Sequence, residues 1–135
     1  MIATAKARYI RITPRKLRQV IPIVKGRPVE EAIAILASVN KRASIYIAEV
    51  LKSALENAKR LHKDIETSNI RISRLTADPG PMLKRYRAAS MGRANTIRKH
   101  TSHLIAELDV IETPKPKPVA TKTGAAKKMS RGRGK

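Results

Sequence analysis

Two strand-like stretches, "NIRISRLTA" and "HLIAELDVI", flank a segment that fits no ordinary connection. From 79 to 102 the chain reads "PGPMLKRYRAASMGRANTIRKHTS", with two prolines, two glycines, six Lys/Arg and no carboxylate. Hairpin loops need about two to five residues, and structureless loops beyond about 12–15 are uncommon unless they are functional or disordered. Any fold for this chain must explain why two strands are joined by a long, basic, acid-free arm between residues 78 and 103.

The rest of the chain supplies a platform for that arm. Residues 3–12, "ATAKARYIRI", alternate and end in β-formers, which predicts a strand. Thr13 offers a helix N-cap and Pro14 fits the first helical position. The helix that follows carries Leu17, Val20, Ile21 and Val24 on one face and ends at Gly26. Pro22 has no N–H to return to the Arg18 carbonyl, so it predicts a kink or a shortened helix. A second helix is expected from Pro28 to Ala37, with Glu30 and Glu31 in its first turn, where the helix dipole favours them. Asn40 is placed to cap a third, longer helix ending near His62–Lys63. Its apolar face comprises Ile47, Val50, Leu51, Ala54, Leu55, Ala58 and Leu61. In "NIRISRLTAD" the apolar parity switches from Ile70 and Ile72 to Leu75 and Ala77, which predicts a bulge near Ser73–Arg74. In the last strand Leu104, Ala106, Leu108 and Val110 share one face. The expected fold class is α+β: a three-stranded antiparallel sheet packed with three helices.

At 135 residues this is one domain, and without Phe or Trp and with three Tyr its core is aliphatic and thin. Thirty Lys/Arg against ten Asp/Glu give a net charge of +20. The excess is segregated. Residues 1–29 hold eight Lys/Arg and no acid, 30–78 hold eight against seven acids, and 113–135 hold eight and no acid. A nearly balanced block therefore carries basic extensions, the layout of a polyanion binder. The stretch from Thr113, "TPKPKPVATKTGAAKKMSRGRGK", cannot bury apolar area and is expected to be a disordered Lys/Pro-rich tail. Absence of cysteine excludes disulfides and thiolate metal sites. No apolar run approaches the length of a membrane span. The N-terminus is basic and acid-poor, as transit peptides are, but its alternation and Thr-Pro helix start read as folded sequence.

Catalytic readings find little support. His100 and His103 are too few for a metal site and lie beside Arg98 and Lys99, so no metal or other cofactor is expected. "GRGK" lacks the strand and helix of a phosphate loop. Glu107 and Asp109 share a strand face, where solvation or pairing with Arg explains them without acid/base work. Ser90, Ser102 and Ser130 have no nucleophile context. Nucleic acid is the partner that the charge layout selects, and Arg85, Arg87, Arg93 and Arg98 offer the planar fork that suits phosphate. Scarcity of aromatic residues argues against a single-strand reader built on stacking. No recognition helix for a DNA groove is evident. Binding through phosphates and shape, by extended arms, suits a folded RNA.

Several motifs together resemble one family. They are "TPRKLRQV" at 13–20, "KG" at 25–26, "NKRA" at 40–43, "SALENA" at 53–58, "GPMLKR" at 80–85, "GRA" at 92–94 and "TSH" at 101–103. Their order and spacing over residues 3–111 resemble the bacterial-type large-subunit ribosomal protein L twenty-two family. The resemblance implies an α+β domain on the outer face of the large subunit near the exit of the peptide tunnel. It also implies a long β-hairpin running inward between RNA segments, with its tip in the tunnel wall near ribosomal protein L four and the macrolide site, and a part in subunit assembly. The arm would then be a hairpin extended beyond its sheet, reaching roughly 30 Å with ten residues per side. The chain departs from the family pattern at the tip, where Ala88 and Ala89 stand at Pro-Arg positions and Met91 at a basic one.

On this reading residues 1–112 form an RNA-binding domain with a hairpin arm at 78–103, and 113–135 form a basic tail. The expected RNA-binding residues are Arg8, Arg11, Arg15, Lys16, Arg18, Lys25, Lys41, Arg42, Lys84, Arg85, Arg87, Arg93, Arg98, Lys99, His100 and His103. The expected tunnel-lining tip is Ala88, Ala89, Ser90, Met91, Gly92, Arg93 and Ala94. Expected partners are large-subunit (23S-type) ribosomal RNA, neighbouring large-subunit proteins and, transiently, the nascent peptide. The expected location is the cytoplasmic ribosome rather than an organellar one, with no membrane. The competing reading is a linker-histone-like or nucleoid DNA-binding protein, which the tail supports by composition.

Overall fold

The computed structural model describes residues 1–62 and 67–110. The expected tail at 113–135, and the end of the long helix at Lys63, lie outside the described residues. Strand β1 (Ala3–Ile10) is followed by α1 (Pro14–Arg18), α2 (Ile21–Val24), α3 (Val29–Ser38) and α4 (Arg42–Leu61), then by β2 (Ile70–Pro79), β3 (Leu83–Ala88), β4 (Ala94–Lys99) and β5 (Ser102–Val110). The architecture is the expected α+β. One antiparallel sheet has the order β1-β5-β2, and β3 and β4 pair as a separate two-stranded ribbon. The last strand among the described residues is therefore the central one.

Apolar spacing sets which face of each element is covered. On β5, Leu104, Ala106 and Leu108 are fully buried, opposite Ala5, Ala3, Ile72, Leu75 and Ala77 of the flanking strands. Helix α4 lies over this face with Ala43, Ile47, Val50, Leu51, Ala54 and Ala58, and Leu17, Val20, Val24 and Val29 complete the core. Leu61, expected on the buried face, is 66% exposed at the helix end.

Among the described residues there are three α-helical regions, and the first is split in two. Pro22 lies in the first turn of α2, where its missing N–H is not needed, so the chain restarts a helix at Ile21 instead of bending one. Thr13 holds the N-cap position of α1 but its side chain makes no capping bond. Pro28 is the N-cap of α3, so the helix starts at Val29, one residue later than expected. Lys41 replaces Asn40 as the N-cap of α4. A tight turn from Lys41 N–H to the Val39 carbonyl (2.8 Å) moves the helix start on by one residue. Ser44 Oγ donates back to the carbonyls of Lys41 (2.7 Å) and Val39 (2.9 Å).

The predicted bulge in β2 is found between Ile72 and Arg74. A second bulge interrupts β1 between Ala7 and Ile10, and there Tyr9 has φ 59°. This left-handed conformation costs a non-glycine residue about 1–2 kcal/mol. Both sheet edges are bonded at points by other parts of the chain, which hinders further strand pairing. Along β2, Gly26 N–H donates to the Ile72 carbonyl, Ile72 N–H donates to the Arg27 carbonyl, and Arg18 Nε donates to the Ala77 carbonyl (3.0 Å). Along β1, Asn57 Nδ2 donates to the Thr4 carbonyl (3.1 Å).

Candidate nucleic-acid interface

The root of the arm is built from three consecutive residues, each tied to a different part of the chain. Thr101 Oγ1 donates to the Pro81 carbonyl (2.7 Å), Ser102 Oγ to the Ile12 carbonyl (2.8 Å), and His103 Nδ1 accepts from Tyr9 N–H (3.1 Å). Thr101 and Ser102 are buried. Gly80 N–H donates to the Thr101 carbonyl (2.9 Å), and a Cβ on Gly80 would lie 2.5 Å from Thr101 Oγ1. The ladder runs from Pro79 opposite Ser102 to Leu83 opposite Lys99, so Gly80, Pro81 and Met82 face only His100 and Thr101. That extra residue redirects the ribbon as it leaves the sheet.

Beyond the root, β3 and β4 pair from Leu83–Lys99 to Ala88–Ala94. From Pro79 to Ala88 the arm extends about 30 Å at ~3.3 Å per residue. One face carries Leu83, Arg85, Arg87, Asn95, Ile97 and Lys99, and the other Lys84, Tyr86, Ala88, Ala94, Thr96 and Arg98. Lys84 sits directly opposite Arg98, a like-charge pair that opposes the hairpin unless an anion lies between or beside them. No side chain of the ribbon is buried, and Leu83 alone is partly covered. At the tip, Ala89 N–H donates to the Arg93 carbonyl (2.8 Å) and the turn passes through Met91 at φ 57° and Gly92 at φ 67°. Gly92 thus serves the turn itself. Ala88, Ala89 and Ala94 project little, whereas Met91 stands 92% exposed at the apex.

Where arm meets body, a groove of about 630 Å³ gathers Arg11, Lys16, Lys41, Arg42, Arg98, Lys99 and His100. These residues come from the end of β1, helix α1, the start of α4 and the end of β4. Tyr46, one turn along α4, orients Arg42: its hydroxyl lies 3.2 Å from Nη2 and its ring 5.9 Å from the guanidinium carbon. The other candidate residues are more scattered. Arg15 is exposed on α1, and Arg8 is exposed at the β1 bulge. Arg18 is engaged with the edge of β2, and Lys25 caps α2 beside Gly26, at the end of β2 remote from the arm. His103 is half-buried and holds Tyr9 rather than standing free. Arg93 flanks the tip.

Four carboxylates of the body are in ion pairs. Arg74 meets Glu107 (3.7 Å), Arg27 meets Glu31 (3.9 Å), Lys59 meets Glu56 (3.1 Å), and the Met1 ammonium meets Asp109 (3.1 Å). The Met1 ammonium, bonded to Asp109, holds that carboxyl below its usual range against the opposing effect of desolvation. Among the described residues none of these pairs involves an arm cation. Asp78, at the root, has neither ion-pair nor hydrogen-bond partner among them. Among the described residues, no group of His, Cys, Asp or Glu stands together as a metal site, and no helix is long and apolar enough to cross a membrane.

Such a surface can neutralise a folded polyanion along a line and within a groove, and it presents no catalytic constellation. Residues 5–109 match the family described as Ribosomal protein L22p/L17e. The chain belongs to this family. It is similar to the large ribosomal subunit protein uL22 of Halothermothrix orenii, 46% identical over 104 residues, covering 77% of this chain and 91% of that one. The uL22 protein of Carboxydothermus hydrogenoformans is 47% identical over the same share of both chains. That of Clostridioides difficile is 44% identical, over 77% of this chain and 93% of its own. As an L22p/L17e protein the chain is a structural constituent of the ribosome's large subunit, not an enzyme, and it associates with that subunit's RNA and proteins. Tyr9 and Asp78 were absent from the sequence-derived site, and both flank His103.

Proposed function

We propose that the chain binds large-subunit (23S-type) ribosomal RNA through the root groove and both faces of the arm, supports assembly of the subunit, and lines the nascent-peptide tunnel with the arm's tip. The observation that carries this reading is the convergence of seven Lys, Arg and His side chains in one groove at the base of an acid-free ribbon. Phosphates entering that groove would continue along Lys84, Arg85, Arg87, Arg98 and Lys99 and relieve the repulsion between Lys84 and Arg98. Residues 1–112 act as the RNA-bound unit, with the arm at 78–103, and residues 113–135 add a basic extension. The tip, Ala88 to Ala94, meets the nascent peptide transiently; small side chains at 88, 89 and 94 keep the wall open, with Met91 its projecting element. Neighbouring large-subunit proteins border the body, and the setting is the cytoplasmic ribosome.

Two experiments test this. The protein should co-sediment with large subunits and resist a high-salt wash, and at matched salt folded large-subunit RNA should outcompete duplex DNA. Preference for duplex DNA would refute the RNA reading in favour of a nucleoid-type one. Deleting Met82–Lys84 should leave subunits that assemble but respond differently to macrolides and to tunnel-stalled nascent peptides. Unchanged responses, with the shortened protein shown in the subunit, would refute the tunnel role.

A further inference from the structure

The open face of the sheet, opposite the helices, carries a constellation that phosphate binding does not explain. Asp78 and His103 are directly opposed on β2 and β5, so they share a face, and their neighbours Ala77 and Leu104 are buried on the other. The β1 bulge brings Tyr9 alongside His103, with ring centroids 4.8 Å apart at 84°. Tyr9, His103 and Asp78 thus form a row across three strands, in a cleft of about 290 Å³ that Lys6 and Arg8 also line.

Tyr9 and Asp78 are the exposed members of the row, and His103 between them is half-buried. Tyr9 is 60% exposed although it occupies a left-handed conformation, and its N–H is held there by His103 Nδ1. The neutral His103 ring then carries its proton on Nε2, so Nδ1 is committed to holding the bulge. Strained residues over-determined by their surroundings cluster at binding sites. Asp78 is a carboxylate without a partner among the described residues, on a molecule whose cations face phosphates. A phosphate would repel it; its useful partners are N–H donors. Guanine presents two parallel donors, N1–H and N2–H₂, on one edge, which match the two carboxylate oxygens. Adenine and cytosine offer one amino donor beside an acceptor, and uracil one imino donor between two acceptors. Unstacked bases of RNA are held in this way, by stacking on an aromatic ring and by hydrogen bonds to the Watson–Crick edge.

We propose that this cleft takes a single unstacked guanine of RNA, with its ring against Tyr9, its N1–H and N2–H₂ on Asp78, and its flanking phosphates near Lys6 and Arg8. The inference rests on the RNA reading above and names the nucleotide that this part of the interface selects.

The test uses the full chain and four nine-nucleotide RNAs: oligo-U, and oligo-U with G, A or C at its centre. Affinities are measured by fluorescence anisotropy at one salt concentration, and the Tyr9 and His103 ring signals are followed by NMR. The G-containing RNA should bind at least about fivefold more tightly than the A-containing one, and it alone should shift both ring signals. Asp78→Asn keeps the side chain's shape and should abolish the preference; because it removes a negative charge that repels phosphate, oligo-U should bind at least as tightly as before. Tyr9→Gly removes the ring at a backbone conformation that glycine adopts freely, so the variant should fold and should bind the G-containing RNA about fivefold or more weakly. Equal binding of all four RNAs, or a G preference that survives Asp78→Asn, would overturn the guanine site while leaving the RNA reading in place. Failure to bind any of the four while folded large-subunit RNA is still bound would likewise overturn the guanine site, and failure to bind folded large-subunit RNA as well would remove the RNA reading with it.

Discussion

Gly80→Ala tests the construction of the arm's root. Its Cβ would lie 2.5 Å from Thr101 Oγ1, 3.2 Å from His103 Nε2 and 3.3 Å from the Thr101 carbonyl carbon. Thr101 has no flexible end that can swing aside: it is β-branched, 4% exposed and bonded to the Pro81 carbonyl. Relieving the clash therefore breaks that buried hydrogen bond, at about 1–3 kcal/mol. Residual crowding against His103 and the backbone adds about 1–3 kcal/mol. The smaller conformational entropy of unfolded alanine returns about 0.4–1 kcal/mol. A net loss of about 1–5 kcal/mol is expected from urea unfolding of the full chain. Thr101→Ala removes the clashing oxygen, so Gly80→Ala should cost less in that background, with a coupling of about 1 kcal/mol or more. A neutral Gly80→Ala, or strictly additive single and double variants, would show that the root is not packed as described.

Neutralising Lys84, Arg85, Arg98 or Lys99 singly should weaken RNA binding and lower its salt slope by about one charge's worth, measured by titration at several salt concentrations; an unchanged slope would mean that the side chain points away from RNA. Asp109 has a folded-state pKa depressed by the Met1 ammonium, so its contribution to stability should be full above the ordinary carboxylate range and disappear as pH falls through the depressed value. Blocking the Met1 amine by acetylation should flatten that acid limb in pH-dependent urea melts. Amide exchange in the free protein should be faster throughout β3 and β4 than in β5, because a two-stranded ribbon with no buried side chain is marginal by itself; equal protection would contradict this.

Periodicity made much of the body legible, and local covalent geometry explains what it left out. Alternation located all three strands of the sheet, and the parity switch from Ile72 to Leu75 located a bulge. The same signal is present in β1, where Ala3, Ala5 and Ala7 give way to Ile10 and Ile12, but the β-forming run "YIRI" masks it, and Tyr9 is not a residue that advertises a positive φ. Asn40 satisfies the preference for a cap, yet the tight turn at Val39–Lys41 overrides it. Charge segregation identified the arm cations, but the groove at the root joins residues more than eighty positions apart, from Arg11 to Lys99, and only the sheet topology brings them together. "TSH" was visible as a motif; that its three side chains tie the root to Pro81, Ile12 and Tyr9 depends on register, which composition does not carry.

The order of the sheet, β1-β5-β2, also constrains when the protein can fold. The first strand made and the strand after α4 have no ladder to each other; both wait for β5, the last described element to leave the ribosome that synthesises it. Until then α4 has no complete floor on which to lay Ile47, Leu51 and Ala54, and a chain released before Ser102 could not form the sheet at all. Sheet formation therefore comes late in synthesis and rests on long-range contacts, which slow folding. A truncated product would be left with exposed aliphatic strands and a large positive charge, a target for disposal instead of a competitor for the RNA.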